Sequence, residues 1–340
     1  MHIANTWRIN AMNFYKTLDL IMRQDIGGRG LLPSLPASPL AETAAALSGA
    51  KRAVLLTGFP VRLADGSFIG ETDGPSGTAA AAAALNGIGC HTAVVTDSAS
   101  YPLLKEALRW MAPQTSLVLL PKNDTAAFIR NFLSDFRPTH FISLERPGKA
   151  ADGHYHNMRG EIIDDMIADS SPFLSEAKKL GAVTISIGDG GNEMGMGAFY
   201  RQITANVPCG AEICACESAD IALASGVSNW WGWGLAALLS VETGRFLLPS
   251  EEKETEFLRR VVDAGGVDGC TRERTMTVDH LALDVHLSVL RAVTELTKRT
   301  MGETIPEPFL FITGTGHAGR RLSSPPFPPL LSYALPEPKQ

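Results

Sequence analysis

The sequence predicts an α/β fold of three layers, in which a mostly parallel sheet carries helices on both faces and extra helices follow at the C-terminal end. From residue 52 onward, short β-branched runs alternate with segments of helical periodicity, a pattern typical of a parallel sheet wrapped by helices. The runs are brief and mostly apolar, as expected for strands covered on both faces. Hydrophobic residues make up 45% of the 340 residues and charged residues 19%, so the chain can fill a sizeable core.

The predicted elements follow from these runs in chain order. The strands cover residues 52–57, 91–96, 116–120, 139–144, 182–187 and 220–224. The helices between them cover residues 75–85, 102–111, 125–136, 162–180 with Pro172 dividing it, and 230–241. Two leading helices cover residues 13–23 and 40–47, and two amphipathic helices after the sheet cover residues 251–264 and 278–299. We therefore predict a single domain over residues 1–302 and a Pro-rich, poorly ordered tail over residues 303–340.

The charge and hydropathy of the chain exclude some classes of partner. A formal net charge of -6 leaves no basic surplus to neutralise a phosphate backbone, so nucleic acid is not expected to bind. The longest apolar run, residues 230–241, contains Gly232 and Gly234 and is shorter than the roughly 20 residues that span a bilayer. We expect a small-molecule substrate and no membrane contact, and a homo-oligomer stays an open alternative.

The N-terminal residues and the cysteines bear on the compartment. The N-terminal residues lack a basic segment that leads into an apolar one, so no secretory signal is predicted. The expected compartment is the cytoplasm, or the mitochondrial matrix in a eukaryote. Five cysteines, an odd number, fit a reducing compartment better than a disulfide framework. Cys209, Cys214 and Cys216 are interpreted as small buried side chains, with a thiolate metal site as the alternative.

The loops after the predicted strands contain the candidate functional residues, because ligands of open parallel sheets bind outside the carboxyl ends of the strands. After the first strand, Glu71 and Asp73 precede a helix that begins at Pro75 and contains Ser76 and Gly77. The free amide groups at such a helix start attract an anion, and Gly77 allows close approach to them. The alternative is an ordinary capped helix start without a ligand.

The loop after the fourth strand is the densest polar run in the chain. It contains Glu145, Arg146, His154, Asn157 and Arg159. With His156, the run has a carboxylate, two imidazoles, an amide and two guanidinium groups, which are hard to explain as core packing when so close together. A solvated surface loop is the alternative.

Two further loops add polar residues at strand ends. After the fifth strand, five glycines in ten residues surround Asp189, Asn192 and Glu193. The two acids can hold a divalent cation through oxygen ligands or act as acid and base, and a tight structural turn is the alternative. After the sixth strand, Ser228 and Asn229 either cap the next helix or contact a ligand.

Several short motifs, most of them in these loops, follow one another along the chain. They are Gly27-Gly28-Arg29-Gly30, Thr57-Gly58-Phe59-Pro60, Glu71-Thr72-Asp73-Gly74-Pro75, Glu145-Arg146-Pro147-Gly148, Asp152-Gly153, Asn157-Met158-Arg159-Gly160, the Gly-rich run 188–197, and Ser228-Asn229-Trp230. Together, over about residues 12–300, they resemble the carboxy-terminal domain of the D-glutamate cyclase family. The resemblance implies conversion of D-glutamate to 5-oxo-D-proline and water. Well-known members carry an additional amino-terminal domain without a counterpart in this sequence, so which half supplies catalysis stays open.

A mechanism for this reaction can be drawn from the residues. Asp189 and Glu193, with Glu145, are predicted to hold a Mg or Mn ion on the distal carboxylate, which is otherwise a poor electrophile. Arg146 or Arg159 is predicted to anchor the other carboxylate, with help from the helix start at Ser76 and Gly77. The candidate base is His154 or Glu71, and no organic cofactor is predicted. The rest of the predicted substrate-binding set is Asp73, Asn157, Asn192, Ser228 and Asn229.

Two other functions are compatible with the same residues. One is a metal-dependent hydrolase or phosphate-ester enzyme, which also needs carboxylates and an anion site. The other is a non-catalytic domain that binds an amino acid or a nucleotide. A dinucleotide-dependent dehydrogenase is less well supported, because Gly58 is not part of a Gly-x-Gly-x-x-Gly run.

Overall fold

A computed structural model gives the conformation of residues 2–302, with side chains described from residue 12 onward. The tail predicted over residues 303–340 lies outside the described residues. The described strands are β1 (Arg52–Thr57), β2 (Pro60–Arg62), β3 (Phe68–Gly70), β4 (His91–Thr96), β5 (Ser116–Leu119), β6 (His140–Leu144), β7 (Val183–Gly188), β8 (Ile221–Ala224), β9 (Thr277–Val278) and β10 (Leu281–Ala282). The described helices are α1 (His2–Met22), α2 (Leu40–Ser48), α3 (Pro75–Gly87), α4 (Tyr101–Met111), α5 (Thr125–Phe136), α6 (Pro172–Lys179), α7 (Tyr200–Asn206), α8 (Gly210–Ile213), α9 (Ser228–Thr243), α10 (Glu251–Asp263) and α11 (Leu283–Thr300).

The central sheet contains six parallel strands in the order β5-β4-β1-β6-β7-β8. The strand order runs outward in two directions from the middle of the sheet, because β1 pairs with β4 on one side and with β6 on the other. In the register, Leu56 lies opposite Val95 and Ser143. This reversal creates a crevice at the carboxyl ends of β1 and β6, the usual place for a ligand in such sheets.

Alternate side chains of the buried strands pack into the two helical layers. Ala53 and Leu55 of β1 belong to the larger core, which includes α3 and α9, whereas Val54 and Leu56 belong to the core that includes α6. This alternation follows from the two-residue repeat of a strand. The predicted three-layer α/β class is therefore confirmed.

Small residues allow α3 and α9 to cross at very short range. A Cβ atom built on Gly77 would lie 2.7 Å from the Cα of Asn229, and a Cβ on Gly232 would collide with the backbone of Gly77. The crossing brings the start of α3 against the start of α9, at the edge of the sheet where the strands end. Gly77 thus serves helix packing, and its amide, predicted to attract an anion, donates to Oδ1 of Asn229 at 2.7 Å.

The structure corrects two predicted helices. Within the helix predicted over residues 162–180, only Pro172–Lys179 is α-helical and Asp164–Met166 forms a 3-10 turn, because Pro172 lacks the amide N–H that would continue a helix from the residues before it. The helix predicted over residues 278–299 begins only at Leu283, since β9 and β10 form a hairpin just before it. The hairpin turn at Asp279 and His280 has φ angles of 53° and 66°, which is typical of a tight type I′ connection.

Besides β9 and β10, four strands and helices escaped the sequence-based prediction. They are the short hairpin of β2 and β3 and the helices α7 and α8. Each is seven residues or shorter, so it contains too few positions to show a hydrophobic period. Among the described helices, none combines the length and the apolar character that crossing a bilayer requires.

Candidate functional site

Three acidic side chains from separate loops meet at the carboxyl edge of the sheet, and we call them the acid cluster. Asp73 lies just before α3, Glu145 follows β6, and Asp189 follows β7. Each offers one carboxylate oxygen within 4.8 Å of the oxygens of the other two, and all three residues are buried. The structure therefore brings together loops that the sequence could only place at separate strand ends.

Backbone amides hold the carboxylate of Asp73. Its Oδ1 accepts hydrogen bonds from the amides of Gly74 (2.9 Å) and Asn229 (2.9 Å), and its Oδ2 accepts from the amide of Ser228 (3.1 Å). The last two amides open α9, where free N–H groups and the helix dipole favour a negative charge. The side-chain Oδ1 of Asn229 accepts from the amides of Gly74 (3.0 Å) and Gly77 (2.7 Å). Ser228 and Asn229 thus fix the acid cluster, and contact with a ligand stays a prediction.

Glu193 organises the Gly-rich loop through its own carboxylate. Its Oε1 accepts from the amides of Asp189 (3.0 Å) and Gly190 (2.8 Å), and its Oε2 accepts from the amide of Gly191 (2.7 Å). Burial raises the pKa of Glu193, and the amides of Gly190 and Gly191 oppose that rise. Both oxygens are therefore engaged by the loop that precedes them, and Glu193 is not one of the three acids whose oxygens converge in the acid cluster.

Arg29 supplies a positive charge next to the acid cluster. Its guanidinium forms a close ion pair with Asp189 and a second one with Oδ2 of Asp279 at 2.9 Å. The amide of Ser228 adds a hydrogen bond of 3.2 Å to Oδ2 of Asp189. Burial by itself lowers the pKa of Arg29, but the charges of Asp279 and Glu145 raise it overall. Arg29 therefore stays protonated and compensates two of the surrounding carboxylates.

Glu71 and Glu145 lie near Arg29 but form no ion pair with it, and neither carboxylate accepts a hydrogen bond within the described residues. Glu145 is 5% exposed and its Oε2 is a buried oxygen without a partner. Burial, then the charges of Glu193 and Asp73, raise the pKa of Glu145 well above its usual range. Burial, then Asp279 and Asp73, do the same to the pKa of Glu71. Burial also raises the pKa of Asp73 to about 8. Near neutral pH, protons or a bound cation can therefore reduce the negative charge of this site.

A pocket of about 310 Å³ opens onto these carboxylates, near the lower end of the range for small-molecule sites. Its polar floor contains Glu71, Glu145, Asp189, Glu193 and Asp279, while Asp73 lies behind them. Its other lining residues are Arg29, Phe59, Pro60, Val61, Arg62, Asn157, Met158, Arg159, Glu161, Ile162, Ile163, Met166, Asn192, Gly269, Cys270 and Arg272. Asn157, Arg159 and Asn192 thus reach the same pocket as the acids.

Three residues that the sequence assigned to the site lie elsewhere. Arg146 is fully buried, and its guanidinium donates to Oδ2 of Asp97 (2.7 Å), the hydroxyl of Ser170 (3.0 Å) and two carbonyls. Four of its five N–H donors are thus engaged by the fold, away from the pocket. His154 has an exposed side chain that contacts Oδ2 of Asp164 at 2.7 Å. The structure brings neither to the pocket.

Ser76 is the third of these residues. Its hydroxyl donates a short hydrogen bond to Glu254 of α10, on the side of α3 that faces the core. Burial raises the pKa of Glu254 to about 7, and the side-chain donors of Ser76 and Trp233 oppose that rise. The start of α3 is thus tied to α10 and does not open to the pocket.

Sequence reasoning missed four residues of the site, Arg29, Cys270, Arg272 and Asp279. Arg29 had a visible signal, a single charge among three glycines in residues 27–30. Asp279 was hidden because helical periodicity was assigned to the hairpin turn. Cys270 and Arg272 lie in an irregular segment without a motif, and burial raises the pKa of the Cys270 thiol to about 12. That thiol is therefore a poor nucleophile.

Comparison with known proteins agrees with the sequence resemblance. A sequence model of the family described as D-glutamate cyclase-like, C-terminal, matches residues 18–294. The chain is also similar to the human protein named D-glutamate cyclase, mitochondrial, with 29% identity over 274 residues. The aligned region covers 77% of this chain and 43% of the human protein, so the chain spans less than half the length of that relative.

Proposed function

The chain belongs to the D-glutamate cyclase-like, C-terminal family, and from this membership we propose that it binds D-glutamate and converts it to 5-oxo-D-proline and water. In this reaction the amine attacks the distal carboxyl carbon of the same molecule, and an oxygen of that carboxyl leaves as water. The observation that supports the proposal is the pair of buried carboxylates, Glu71 and Glu145, on the floor of a pocket of amino-acid size.

The reaction moves two protons from the nitrogen to the departing oxygen. A carboxylate with a pKa raised toward neutrality can accept a proton from an ammonium group and return it to a leaving oxygen. Glu71 meets this requirement, because it lines the pocket, accepts no hydrogen bond from the described residues, and has a raised pKa. We assign this proton transfer to Glu71 in place of His154, which does not reach the pocket.

The acid cluster fits a divalent cation. Asp73, Glu145 and Asp189 offer three oxygens within 4.8 Å of one another, and Oε2 of Glu145 lacks any partner within the described residues. Hard cations such as Mg and Mn prefer carboxylate oxygens. When bound there, the cation supplies the positive charge that makes a carboxylate electrophilic. In this proposal, Asp73 replaces Glu193 as a ligand, because an oxygen of Asp73 lies within 4.8 Å of the oxygens of Glu145 and Asp189, and Glu193 is not part of that group.

The pocket shape favours ring closure. Phe59, Met158 and Met166 line it on one side and can pack against the methylene groups of a bound glutamate. Packing of this kind excludes water and holds the nitrogen near the distal carboxyl, and orientation contributes strongly to an intramolecular reaction.

The test is to incubate the purified 340-residue protein with D- or L-glutamate, with EDTA, Mg or Mn, and to measure 5-oxoproline by chiral chromatography. We expect product from D-glutamate with a cation, and a loss of at least about 100-fold in kcat in Glu71→Gln, the size of a typical general acid–base contribution. The matched control is Asp135→Asn, on the exposed surface of α5. Absence of product from the folded wild-type protein under every cation condition refutes the proposal.

A further inference from the structure

Two turns face the pocket at its mouth, and each presents one arginine. In the first turn, Oδ1 of Asn157 accepts from the amides of Arg159 (2.9 Å) and Glu161 (3.1 Å), and its Nδ2 donates to Oε2 of Glu161 (2.6 Å). The carboxylate of Glu161 is thus engaged by the amide of Asn157. Arg159 is exposed, lines the pocket, and has no side-chain partner within the described residues.

The second turn is fixed by Asp268. Its Oδ1 accepts from the amides of Cys270 (2.9 Å) and Thr271 (3.0 Å), and its Oδ2 accepts from the amide of His280 (2.8 Å). Arg272 follows with φ of 64°, a left-handed conformation that is uncommon for a residue with a side chain. Arg272 also lines the pocket, and its guanidinium lacks a side-chain partner within the described residues.

The other two arginines of the pocket are already neutralised. Arg62 contacts both oxygens of Asp165 at 2.7 Å, and Arg29 is shared between Asp189 and Asp279. The pocket therefore has two poles. Its floor carries excess negative charge, and its mouth carries two guanidinium groups that are free to bind an anion.

We propose that Arg159 and Arg272 bind the α-carboxylate of the substrate, an inference that rests on the proposed function. Ring closure brings the nitrogen and the distal carboxyl together, so both must lie near the acids of the floor. The α-carboxylate stays outside the ring that forms and points away from it, toward the mouth. Guanidinium groups are well suited to this group, because they bind carboxylates through paired hydrogen bonds.

The same arrangement makes Arg159 and Arg272 determinants of stereochemistry. If the nitrogen and the distal carboxyl are fixed at the floor, the configuration at Cα decides whether the α-carboxylate reaches the two arginines. In the rejected enantiomer, the hydrogen atom on Cα points toward the two arginines, and the α-carboxylate points toward the apolar residues that line the pocket. Loss of either arginine should therefore weaken binding and reduce the discrimination between D- and L-glutamate.

The test is calorimetric titration of D-glutamate, L-glutamate and 4-aminobutyrate into Mn-loaded wild type, Arg159→Gln and Arg272→Gln. The compound 4-aminobutyrate keeps the amine and the distal carboxyl but lacks the α-carboxylate. Arg130→Gln, on the exposed surface of α5, is the matched control. We expect the Kd of D-glutamate to rise about 10- to 100-fold in each mouth variant, as for loss of a charge-assisted hydrogen bond, with no change for 4-aminobutyrate.

Each outcome decides one point. Wild-type affinity for D-glutamate in both mouth variants overturns the subsite. An equal loss of affinity for 4-aminobutyrate also overturns it, because that ligand has no α-carboxylate to lose. Arginine-dependent binding of D-glutamate without formation of 5-oxoproline supports the subsite and refutes the proposed reaction. Failure of wild type to bind D-glutamate overturns both.

Discussion

The buried carboxylates give the stability of the domain a pH dependence that Glu145→Gln should reduce. Two negative charges 4.8 Å apart repel by about 3.5 kcal/mol at an effective dielectric constant of about 20. Glu145 faces Asp73 and Asp189 at this range and has no hydrogen bond to offset the repulsion. Protonation of a carboxyl removes this repulsion. We therefore expect Glu145→Gln to change the free energy of unfolding by roughly the repulsion energy of one pair of charges, about 3 kcal/mol.

The sign follows from the direction of the pKa shift. Burial and the neighbouring acids raise the pKa of folded Glu145 above the unfolded value of about 4.3. Between these two pKa values the folded state binds more protons than the unfolded state, so the free energy of unfolding falls as pH rises. Glutamine does not titrate, and this contribution disappears in the variant.

The assay is urea denaturation of wild type and Glu145→Gln in EDTA at pH values from about 5 to 8, followed by circular dichroism. The stability gain of the variant over wild type should be small near pH 5 and grow to about 3 kcal/mol at pH 8, since the wild-type penalty increases as pH rises above the unfolded pKa. Addition of Mn at pH 8 should stabilise wild type but not the variant, by about 2.7 kcal/mol at a concentration of 100 times Kd. Parallel pH profiles for the two proteins would refute the charge assignment.

Three further predictions test the framework around the site. Glu193→Gln removes the charged acceptor of three loop amides and should lower the free energy of unfolding by about 2 to 4 kcal/mol in urea titrations; an unchanged value contradicts that role. Arg29→Gln leaves Asp189 and Asp279 uncompensated, so its Tm should fall further below wild type at pH 8 than at pH 5; an equal deficit at both argues against the charge pairing. Gly232→Ala places a methyl group against the backbone of α3 and should lower the free energy of unfolding by about 1 to 3 kcal/mol in urea titrations. An unchanged value contradicts the close crossing of α3 and α9.

The sequence predicted the central sheet because its strands repeat one clear pattern. All six predicted strands form, and their boundaries agree within one residue. Strand ends in turn located Asp73, Glu145 and Asp189, since parallel strands share one carboxyl edge. The hairpin of β9 and β10 was not predictable in the same way, because each strand has two residues and owes its form to pairing.

The roles within the site could not be read from residue types. Glu71 and Glu193 are both glutamates at strand ends, yet backbone amides engage the carboxylate of Glu193 and leave that of Glu71 without a hydrogen bond. Arg146 and Arg29 both lie in motifs of the family resemblance. Only the fold shows that Arg146 turns toward Asp97 while Arg29 reaches Asp189. These distinctions depend on hydrogen bonds across the sheet edge, which sequence spacing does not encode.

Backbone conformation gives an independent reason to regard the pocket acids and arginines as functional. Seven described residues other than glycine have a left-handed backbone, and Glu145, Arg272 and Asp279 are three of them, with φ of 47°, 64° and 53°. Glycine adopts this conformation without strain, whereas other residues cost of order 1 kcal/mol or more. All three line one pocket. The hairpin turn accounts for the conformation of Asp279, whereas Glu145 and Arg272 adopt it in irregular loops at the pocket.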